Sequence, residues 1–242
     1  MEVVTLKVAH RGEQCRYRIQ IEPDAGASAP LLTSPSGSLE YGIQDGGPNV
    51  TADSRVEKFG MFSDMQREAS HQFEIRVAPG QDVRAGRYTG HIRVSLFKDD
   101  NGLDTFQDER IVEVVADVAP TVSASFGTDP LAGSRSADID FGVLSRNQSR
   151  SLQFSVAANT GYSLSLSSRE RGRLKHEFTD FGIPYDLVLD GREIDLETAE
   201  HDQHLTGLQS SQHDLRFDVS SDPQTALAGF YSDQLTIVIA AQ

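Results

Sequence analysis

The chain has 242 residues, with 22 lysines and arginines against 36 aspartates and glutamates, which gives a formal net charge of −14 at pH 7. General nucleic-acid binding is excluded, and an anionic membrane surface is disfavoured, because the basic residues form no cluster denser than residues 169–175. With 38% hydrophobic and 24% charged residues, the composition is that of a folded protein. The length fits one large domain or two of about 100 to 150 residues.

The cysteine count and the hydropathy pattern are compatible with either a cytoplasmic or an exported protein. The single Cys15 can form neither an intramolecular disulfide nor a four-thiolate zinc site, and we expect it to be a small buried apolar residue. No run approaches the about 18 to 20 apolar residues of a transmembrane helix, and residues 1–5 lack the features of a signal peptide. We therefore expect a cytoplasmic protein, or a mature exported one in which Met1 replaces the leader.

Apolar and polar residues alternate through most of the chain, and this period of two is typical of strands with one buried face. In the first half the alternation predicts strands at residues 4–8, 17–21, 73–77, 88–96 and 112–118. In the second half it predicts strands at residues 152–156, 162–166, 187–189, 215–219 and 235–239. No window has the apolar spacing of an amphipathic helix, so the sequence predicts an all-β protein of the sandwich type.

The two halves of the sequence repeat each other. Four segments of the first half match four segments of the second half, in the same order and at a nearly constant spacing. The matched pairs are Tyr17-Arg18-Ile19 with Tyr162-Ser163-Leu164, Tyr41-Gly42-Ile43 with Tyr185-Asp186-Leu187, residues 73–77 with 215–219, and Ala85-Gly86-Arg87-Tyr88 with Ala228-Gly229-Phe230-Tyr231. The repeat predicts two tandem β-sandwiches, residues 1–118 and 119–242, with Pro120 breaking the strand pattern between them.

The two predicted domains differ at their ends. In the first, the strand that begins at Tyr88 turns at Lys98-Asp99-Asp100-Asn101-Gly102 and is followed by a further apolar strand at residues 111–118. In the second, the matching strand runs to the end of the sequence at Gln242. We therefore expect the second domain to lack its last strand and to expose an apolar groove edged by Leu235, Ile237 and Ile239.

The repeated element Ala-Gly-x-Tyr-x-x-x-Leu/Ile-x-Val/Ile resembles the closing strand of spore coat protein U-type domains, the subunits of archaic (Csu-type) chaperone-usher pili. The resemblance covers residues 119–242 well and residues 1–118 more weakly. Further matching motifs are Asp140-Phe141-Gly142-Val143-Leu144, Asn159-Thr160-Gly161-Tyr162-Ser163-Leu164, Gly172-Arg173-Leu174, Ile183-Pro184-Tyr185, Leu189-Asp190-Gly191 and, in the first half, Gly37-Ser38-Leu39-Glu40-Tyr41.

The resemblance implies two tandem immunoglobulin-like, pilin-like sandwiches, the second lacking its last strand. It also implies passage through the periplasm to an extracellular fimbrium, with a periplasmic chaperone, an usher and an adjacent pilin subunit as partners. The adjacent subunit would supply a donor strand to the groove, a known mode of strand addition. A two-domain subunit with a complete first domain is expected at the fibre tip. The sequence departs from the family in lacking a cysteine pair, and the first half has no counterpart of residues 138–144.

Catalytic and cofactor-binding motifs are absent from the sequence, so we expect a protein that is not an enzyme and needs no cofactor. His201-Asp202-Gln203-His204 offers two imidazoles, and it is interpreted as a solvated loop, with a metal site as the alternative. Asp99-Asp100-Asn101-Gly102 resembles part of a calcium loop without EF-hand spacing, and Asn-Gly favours a hairpin turn. No metal site is therefore predicted.

The segment Phe59-Gly60-Met61-Phe62-Ser63-Asp64-Met65 concentrates two aromatic residues and two of the three methionines of the chain. It fits neither strand alternation nor the repeat, and it either packs beneath a long loop or forms an exposed contact surface. The order of the predicted strands puts it at the same end of the first domain as the hairpin at residues 99–106. The predicted surface-binding residues are therefore Phe59, Met61, Phe62, Met65, Leu103 and Phe106.

These observations favour the tip adhesin of a chaperone-usher fibre, which attaches to an abiotic or host surface through the apolar loops of its first domain. Two alternatives remain open at this stage. One is a spore-coat or pilus-shaft protein whose contacts are all between subunits, and the other is a secreted carbohydrate-binding or metal-dependent module. Exposure of the predicted surface residues would favour the adhesin over the coat or shaft protein.

Overall fold

The computed structural model describes residues 2–23, 30–45, 55–63, 67–100, 102–127, 133–196, 203–205, 211–219, 222 and 226–242. These residues form strands and connecting turns without any helix, which confirms the all-β prediction. The described part of the chain accordingly contains no helix that is long and apolar enough to span a membrane. The chain divides into two compact units, Met1–Ala119 and Pro120–Gln242, which are described separately.

The first unit is built on an eight-stranded antiparallel sheet. Its path runs β1-β6-β4-β3-β7-β2-β5, and β8 pairs with β7 beside that path. The strands are β1 (Glu2–Ala9), β2 (Cys15–Pro23), β3 (Leu31–Ser34), β4 (Gly37–Gln44), β5 (Val56–Phe62), β6 (Glu68–Val77), β7 (Gly86–Asp100) and β8 (Leu103–Val118).

The sheet of the first unit closes around one core, because inward side chains from both halves of its path pack together. Phe73 of β6 and Ile43 of β4 come from one half, and Ile19 of β2 and Ile92 of β7 come from the other. All four side chains are at most 1% exposed. Cys15 is only partly buried at the margin of this core.

The described part of the second unit contains a five-stranded sheet, β15-β14-β17-β10-β9, and two three-stranded sheets, β16-β11-β19 and β13-β12-β18. Its strands are β9 (Val122–Phe126), β10 (Gln148–Ala158), β11 (Tyr162–Ser168), β12 (Arg173–His176), β13 (Gly182–Pro184), β14 (Asp186–Leu189), β15 (Arg192–Ile194), β16 (Gln203–Leu205), β17 (Ser211–Val219), β18 (Tyr231–Ser232) and β19 (Leu235–Ala241). Both units are immunoglobulin-like β-sandwiches.

Equivalent strands of the two units have equivalent neighbours. In the first unit β2 lies between β5 and β7, and in the second unit β11 lies between β16 and β19. The sequence repeat aligns β2 with β11 and β7 with β18 and β19. The sheet order therefore repeats along with the sequence, as expected for two copies of one sandwich.

Two tyrosine contacts recur in the repeat. In the first unit, the hydroxyl of Tyr17 lies 2.8 Å from Nε2 of His71, and the equivalent pair in the second unit, Tyr162 and His213, lies at 2.9 Å. The hydroxyls of Tyr88 and of its counterpart Tyr231 each donate a hydrogen bond of 2.8 Å to the carbonyl four residues earlier. A tyrosine bonded to the backbone a few residues upstream is typical of immunoglobulin-like sandwiches.

The His71 side chain makes the stability of the first unit dependent on pH. Burial and, to a lesser extent, the nearby Lys58 ammonium lower the pKa of His71 from its usual value of 6.5. Because the folded pKa is the lower one, the unfolded chain binds the proton first as the pH falls. The stability that neutral His71 contributes is therefore present above about pH 6.5 and is lost as the pH falls below that value.

The melting temperature of the first unit should fall when the pH is lowered from about 7.5 to about 5. We expect this fall to be smaller in His71→Gln than in the wild type, because the variant has no imidazole to protonate at this position. Differential scanning calorimetry of the full chain at both pH values measures this loss. His91→Gln is the control, since His91 is exposed on β7 of the same unit. Equal losses in the wild type and His71→Gln would contradict the interpretation.

Candidate functional site

The segment that contains Phe59 is a strand rather than a loop. Residues Val56–Phe62 form β5, which pairs with β2 from Cys15↔Phe62 to Ile21↔Val56. Alternate side chains of β5 face outward, and Phe59 and Met61 are 67% and 51% exposed. The prediction that this segment does not follow strand alternation is therefore wrong. Met65 lies outside the described residues, so its role stays a prediction.

Phe62 is a core residue, which corrects the prediction that it belongs to an exposed surface. Its side chain is only 2% exposed. The ring stacks on Tyr17 at a centroid distance of 4.6 Å and on His10 at 5.1 Å. The correction follows from strand alternation, because Phe62 lies one residue from the outward-facing Met61 and three from the outward-facing Phe59.

The outer face of the first unit carries a row of side chains that crosses four strands. Phe59 of β5 pairs with Arg18 of β2, Arg18 pairs with Phe97 of β7, and Phe97 pairs with Phe106 of β8. Directly opposed residues of an antiparallel sheet point to the same face, so the four side chains lie side by side. We call these four residues, together with Met61, the outer aromatic row.

The guanidinium group at the centre of the outer aromatic row is neutralised by neighbouring carboxylates. Arg18 lies 2.8 Å from Glu57 and 2.5 Å from Asp104, and its side chain is only 13% exposed. Its Cζ lies 4.6 Å from the centroid of the Phe97 ring, a cation–π geometry. Phe97 and Phe106 meet edge to face at 6.0 Å. Phe59 and Phe106 are thus exposed on this face beside the partly exposed carboxylates of Glu57 and Asp104, and Phe97 is half-buried.

The tip of the β7–β8 hairpin separates two of the predicted surface residues. Phe106 and Leu103 are 57% and 74% exposed. Phe106 lies on the outer face, whereas Leu103 pairs with Asp100 at a position that points to the opposite face. The sheet thus separates two side chains that were predicted to lie together. Among the predicted residues that the structure describes, Phe59, Met61 and Phe106 share the outer face.

Sequence reasoning also missed two members of the outer aromatic row, Arg18 and Phe97. Arg18 lies on the polar side of the alternation in the predicted strand 17–21, and Phe97 directly follows the predicted strand 88–96. Arg18 and Phe97 lie next to each other because β2 pairs with β7, and the sequence alone does not show which strands pair. An aromatic residue at an outward strand position, as at Phe97, is the sequence feature that could have identified this row.

The two metal-binding alternatives have different outcomes. β7 ends at Asp100 and β8 begins at Leu103, and Asn101 of the predicted hairpin turn lies outside the described residues. The Gly102 amide donates to Oδ1 of Asp99 at 2.7 Å, and Gly102 has a φ of 89°, which is compatible with that turn. His201 lies outside the described residues, and for His204 the structure describes only the backbone of β16. Within the described residues, no group of three or more His, Cys, Asp or Glu side chains could hold a metal ion.

The second candidate site is the edge of β19. In the first unit, β2 pairs with one edge of β7 and β8 with the other. In the second unit the counterpart of β7 is β19. This strand pairs with β11, and no other described strand pairs with it. Leu235, Ile237 and Ile239 point towards the core of the second unit and are only partly buried.

Burial differs between equivalent residues of the two units. Tyr88 and Ile92 of β7 are completely buried, because β8 covers them. Their counterparts Tyr231 and Leu235 are only half-buried. Of the predicted groove residues, Leu235 is thus less buried than its counterpart Ile92, whereas Ile237 and Ile239 are partly buried like their counterparts Val94 and Leu96.

Solved structures resemble the fold of this chain. The chain is similar to a chain in the crystal structure of the CsuC–CsuE chaperone–tip adhesion subunit pre-assembly complex from the archaic chaperone-usher Csu pili of Acinetobacter baumannii. The identity is 16%, the TM-score is 0.52, and the match covers 94% of this chain and 84% of that chain. At this identity the likeness extends to the fold alone.

A second structure is a chaperone–tip adhesin complex described as vital for synergistic activation of CFA/I fimbriae biogenesis. The identity is 9%, the TM-score is 0.48, and the match covers 98% of this chain and 90% of that chain. No family model matches the chain. No curated protein matches it significantly in sequence.

We expect Phe59→Ala and Phe62→Ala to have opposite consequences, although both remove a phenylalanine ring from β5. Phe62→Ala opens a cavity beside Tyr17 and should lower the free energy of unfolding of the first unit by about 3 to 5 kcal/mol. Phe59→Ala should change it by no more than about 0.5 kcal/mol, because its ring is mostly exposed. Urea denaturation of the two variants measures both values, and a large loss in Phe59→Ala would show that its ring is buried in solution.

Proposed function

We propose that the chain is the tip adhesin subunit of a chaperone-usher fibre. The observation that carries this proposal is the contrast between β7, which has partners on both edges, and β19, which has a described partner on only one. The fold likeness to a chain of a chaperone–tip adhesion subunit complex supports it. Export through the periplasm, delivery by a chaperone to an usher and a final place in an extracellular fimbrium belong to the same proposal.

The β19 edge is proposed to accept a donor strand from an adjacent pilin subunit. A strand with four or five alternating apolar side chains would bury each of them against the second unit for about 1.5 to 3 kcal/mol, roughly 6 to 15 kcal/mol in total. The whole stability of a domain is of similar size, about 5 to 15 kcal/mol. A second unit without that strand is therefore expected to be marginally stable, which explains why a chaperone would be needed before assembly.

The position at the tip is supported by the difference between the two units. In the first unit, β8 of the same chain covers β7 along Gly86–Asp100, so this unit needs no strand from another subunit. The second unit offers one edge for the rest of the fibre. A subunit of this kind ends a fibre and leaves its first unit free to contact a surface.

Attachment is proposed to occur through the outer aromatic row. Phe59, Met61 and Phe106 are all more than half exposed, which favours an adhesin over a coat or shaft protein. Rigid aromatic rings and a flexible methionine suit an apolar surface of variable shape, abiotic or host-derived. The paired Arg18 adds little net charge that would repel such a surface.

We expect the triple substitution Phe59→Ser, Met61→Ser and Phe106→Ser to abolish attachment of fibre-bearing cells to a hydrophobic surface, while the melting temperature stays within a few degrees of the wild type. Crystal-violet staining of attached cells and calorimetry of the purified chain measure the two properties. Val143→Ser, which removes another fully exposed apolar side chain from the second unit, should leave attachment unchanged.

Leu103→Ser tests which face of the β7–β8 hairpin is responsible for attachment. If the outer face is responsible, Leu103→Ser should leave attachment intact, because Leu103 points to the opposite face. Loss of attachment in Leu103→Ser together with retention in the triple variant would place binding at the hairpin tip and overturn the role of the outer aromatic row.

We expect a strand fused after Gln242 to raise the melting temperature of the second unit strongly. The fused segment is a Gly/Ser linker followed by a copy of residues 111–118, whose inward side chains cover β7 in the first unit. In the control fusion, aspartate replaces the four inward residues of the copy, and it should have no effect. Calorimetry of the full chain resolves this, and a second unit that without fusion melts as high as the first would refute the donor-strand mechanism.

A further inference from the structure

The second unit carries an exposed apolar cluster that neither the groove nor the outer aromatic row includes. Phe178, Phe181, Leu227 and Phe230 are 83%, 40%, 51% and 80% exposed. Two of them lie in the connection between β12 and β13, and the other two lie just before β18. We call these four residues the end cluster.

The end cluster is held in place by hydrogen bonds beneath its exposed rings. The amide and carbonyl of Phe230 bond to the side chain and the amide of Glu177, at 3.1 Å and 2.9 Å. His176, only 6% exposed, lies 3.2 Å from the Ala228 carbonyl through Nε2 and accepts the Phe178 amide through Nδ1 at 3.2 Å. A surface that is already ordered loses little entropy when a partner covers it.

Gly229 allows this close packing. A Cβ atom at Gly229 would overlap the imidazole of His176, and its φ of 153° is rarely adopted by residues with a side chain. The equivalent Gly86 also has a positive φ, of 142°, but nothing lies within 4 Å of the Cβ position there. The close contact between Gly229 and His176 therefore has no equivalent at Gly86 in the first unit.

The first unit has charged and polar residues where the second has the end cluster. The repeat aligns Leu227 with Arg84 and Phe230 with Arg87, and both arginines are exposed. The segment from the end of β3 to the start of β4 corresponds to the connection between β12 and β13, and its sequence is Ser34-Pro35-Ser36-Gly37. The apolar surface thus occurs only on the copy whose edge strand lacks a described second partner.

The direction of β8 shows at which end of the first sandwich the chain leaves it. β8 runs antiparallel to β7 and ends with Val118 paired to Gly86, and from there the chain enters the second unit. A donor strand with the same direction on β19 would end beside Gly229, the counterpart of Gly86. The rest of the donor protein would then begin at the end cluster. Thr121, where the chain enters the second unit, bonds to Asn159 near the opposite end of β19.

We propose that the end cluster is a docking surface for the folded body of the protein whose strand pairs with β19, namely the adjacent fibre subunit. The inference rests on the proposed function and adds a second contact to the donor strand. In the first unit the next domain is held covalently, so Arg84 and Arg87 need contribute no affinity. The adjacent subunit is held without a covalent bond, and exposed aromatic residues are the side chains that contribute most to such contacts.

Photo-crosslinking in cells that assemble the fibre tests this proposal. A p-benzoylphenylalanine probe replaces Val238, which lies on β19, or Phe230, which lies in the end cluster, and Val143 carries the control probe. We expect the probes at positions 238 and 230 to label the same protein in mature fibres, at its N-terminal segment and in its folded body respectively. The probe at position 143 should label neither.

The outcomes separate the two hypotheses. No protein label at position 238 would refute donor-strand pairing and the proposed function. A label at position 238 with none at position 230, or a label at position 230 on the chaperone or on lipid only, would leave donor-strand pairing standing and refute docking at the end cluster.

The strength of the contact provides a second measurement. The double substitution Phe178→Ser and Phe230→Arg gives the end cluster the residue types found at these positions in the first unit. We expect it to accelerate dissociation of the tip from isolated fibres in urea by at least about tenfold, because two exposed aromatic contacts are lost. Val143→Ser should leave that rate within about twofold of the wild type. Equal rates for all three chains would refute the docking surface.

Discussion

Closing the last edge of an immunoglobulin-like sandwich is the constraint on which both units depend. An open edge leaves backbone N–H and C=O groups unpaired and apolar side chains uncovered. In the first unit β8 meets both needs, and Tyr88 and Ile92 beneath it are fully buried. In the second unit no described strand takes that place beside β19, and the equivalent residues stay half-buried. In the proposed function, the same fold is complete in one copy and takes a strand from a partner in the other.

The two candidate surfaces of this protein both expose apolar side chains on an ordered backbone. In the first unit, β5 places Phe62 in the core and Phe59 and Met61 outside, so one strand supplies both stability and a contact surface. In the second unit, the end cluster is exposed on a framework that His176 and Glu177 hold together. In both places the exposed rings rest on ordered backbone, which limits the entropy lost on contact.

Much of the fold followed from local patterns. The period-two alternation predicted the all-β class, and the structure confirms it. The repeat aligned Tyr17 with Tyr162 and Tyr88 with Tyr231, and the structure gives each pair the same hydrogen bonds. The candidate site was harder to predict from the sequence. The segment at Phe59 was interpreted as a loop, and Phe62 was therefore wrongly assigned to the surface. Glycine at position 60 and the methionines obscured an alternation that β5 obeys.

The sequence by itself determined which residues alternate and where the chain repeats, because both are patterns along the chain. Only the tertiary structure decided that Arg18 and Phe97 join Phe59 and Phe106 in one row, since that row depends on the pairing of four strands. It also decided that Leu103 points away from them and that Glu177, the neighbour of Phe178, bonds to Phe230. Contacts between distant segments depend on strand register, and a shift of one residue would move every side chain to the other face.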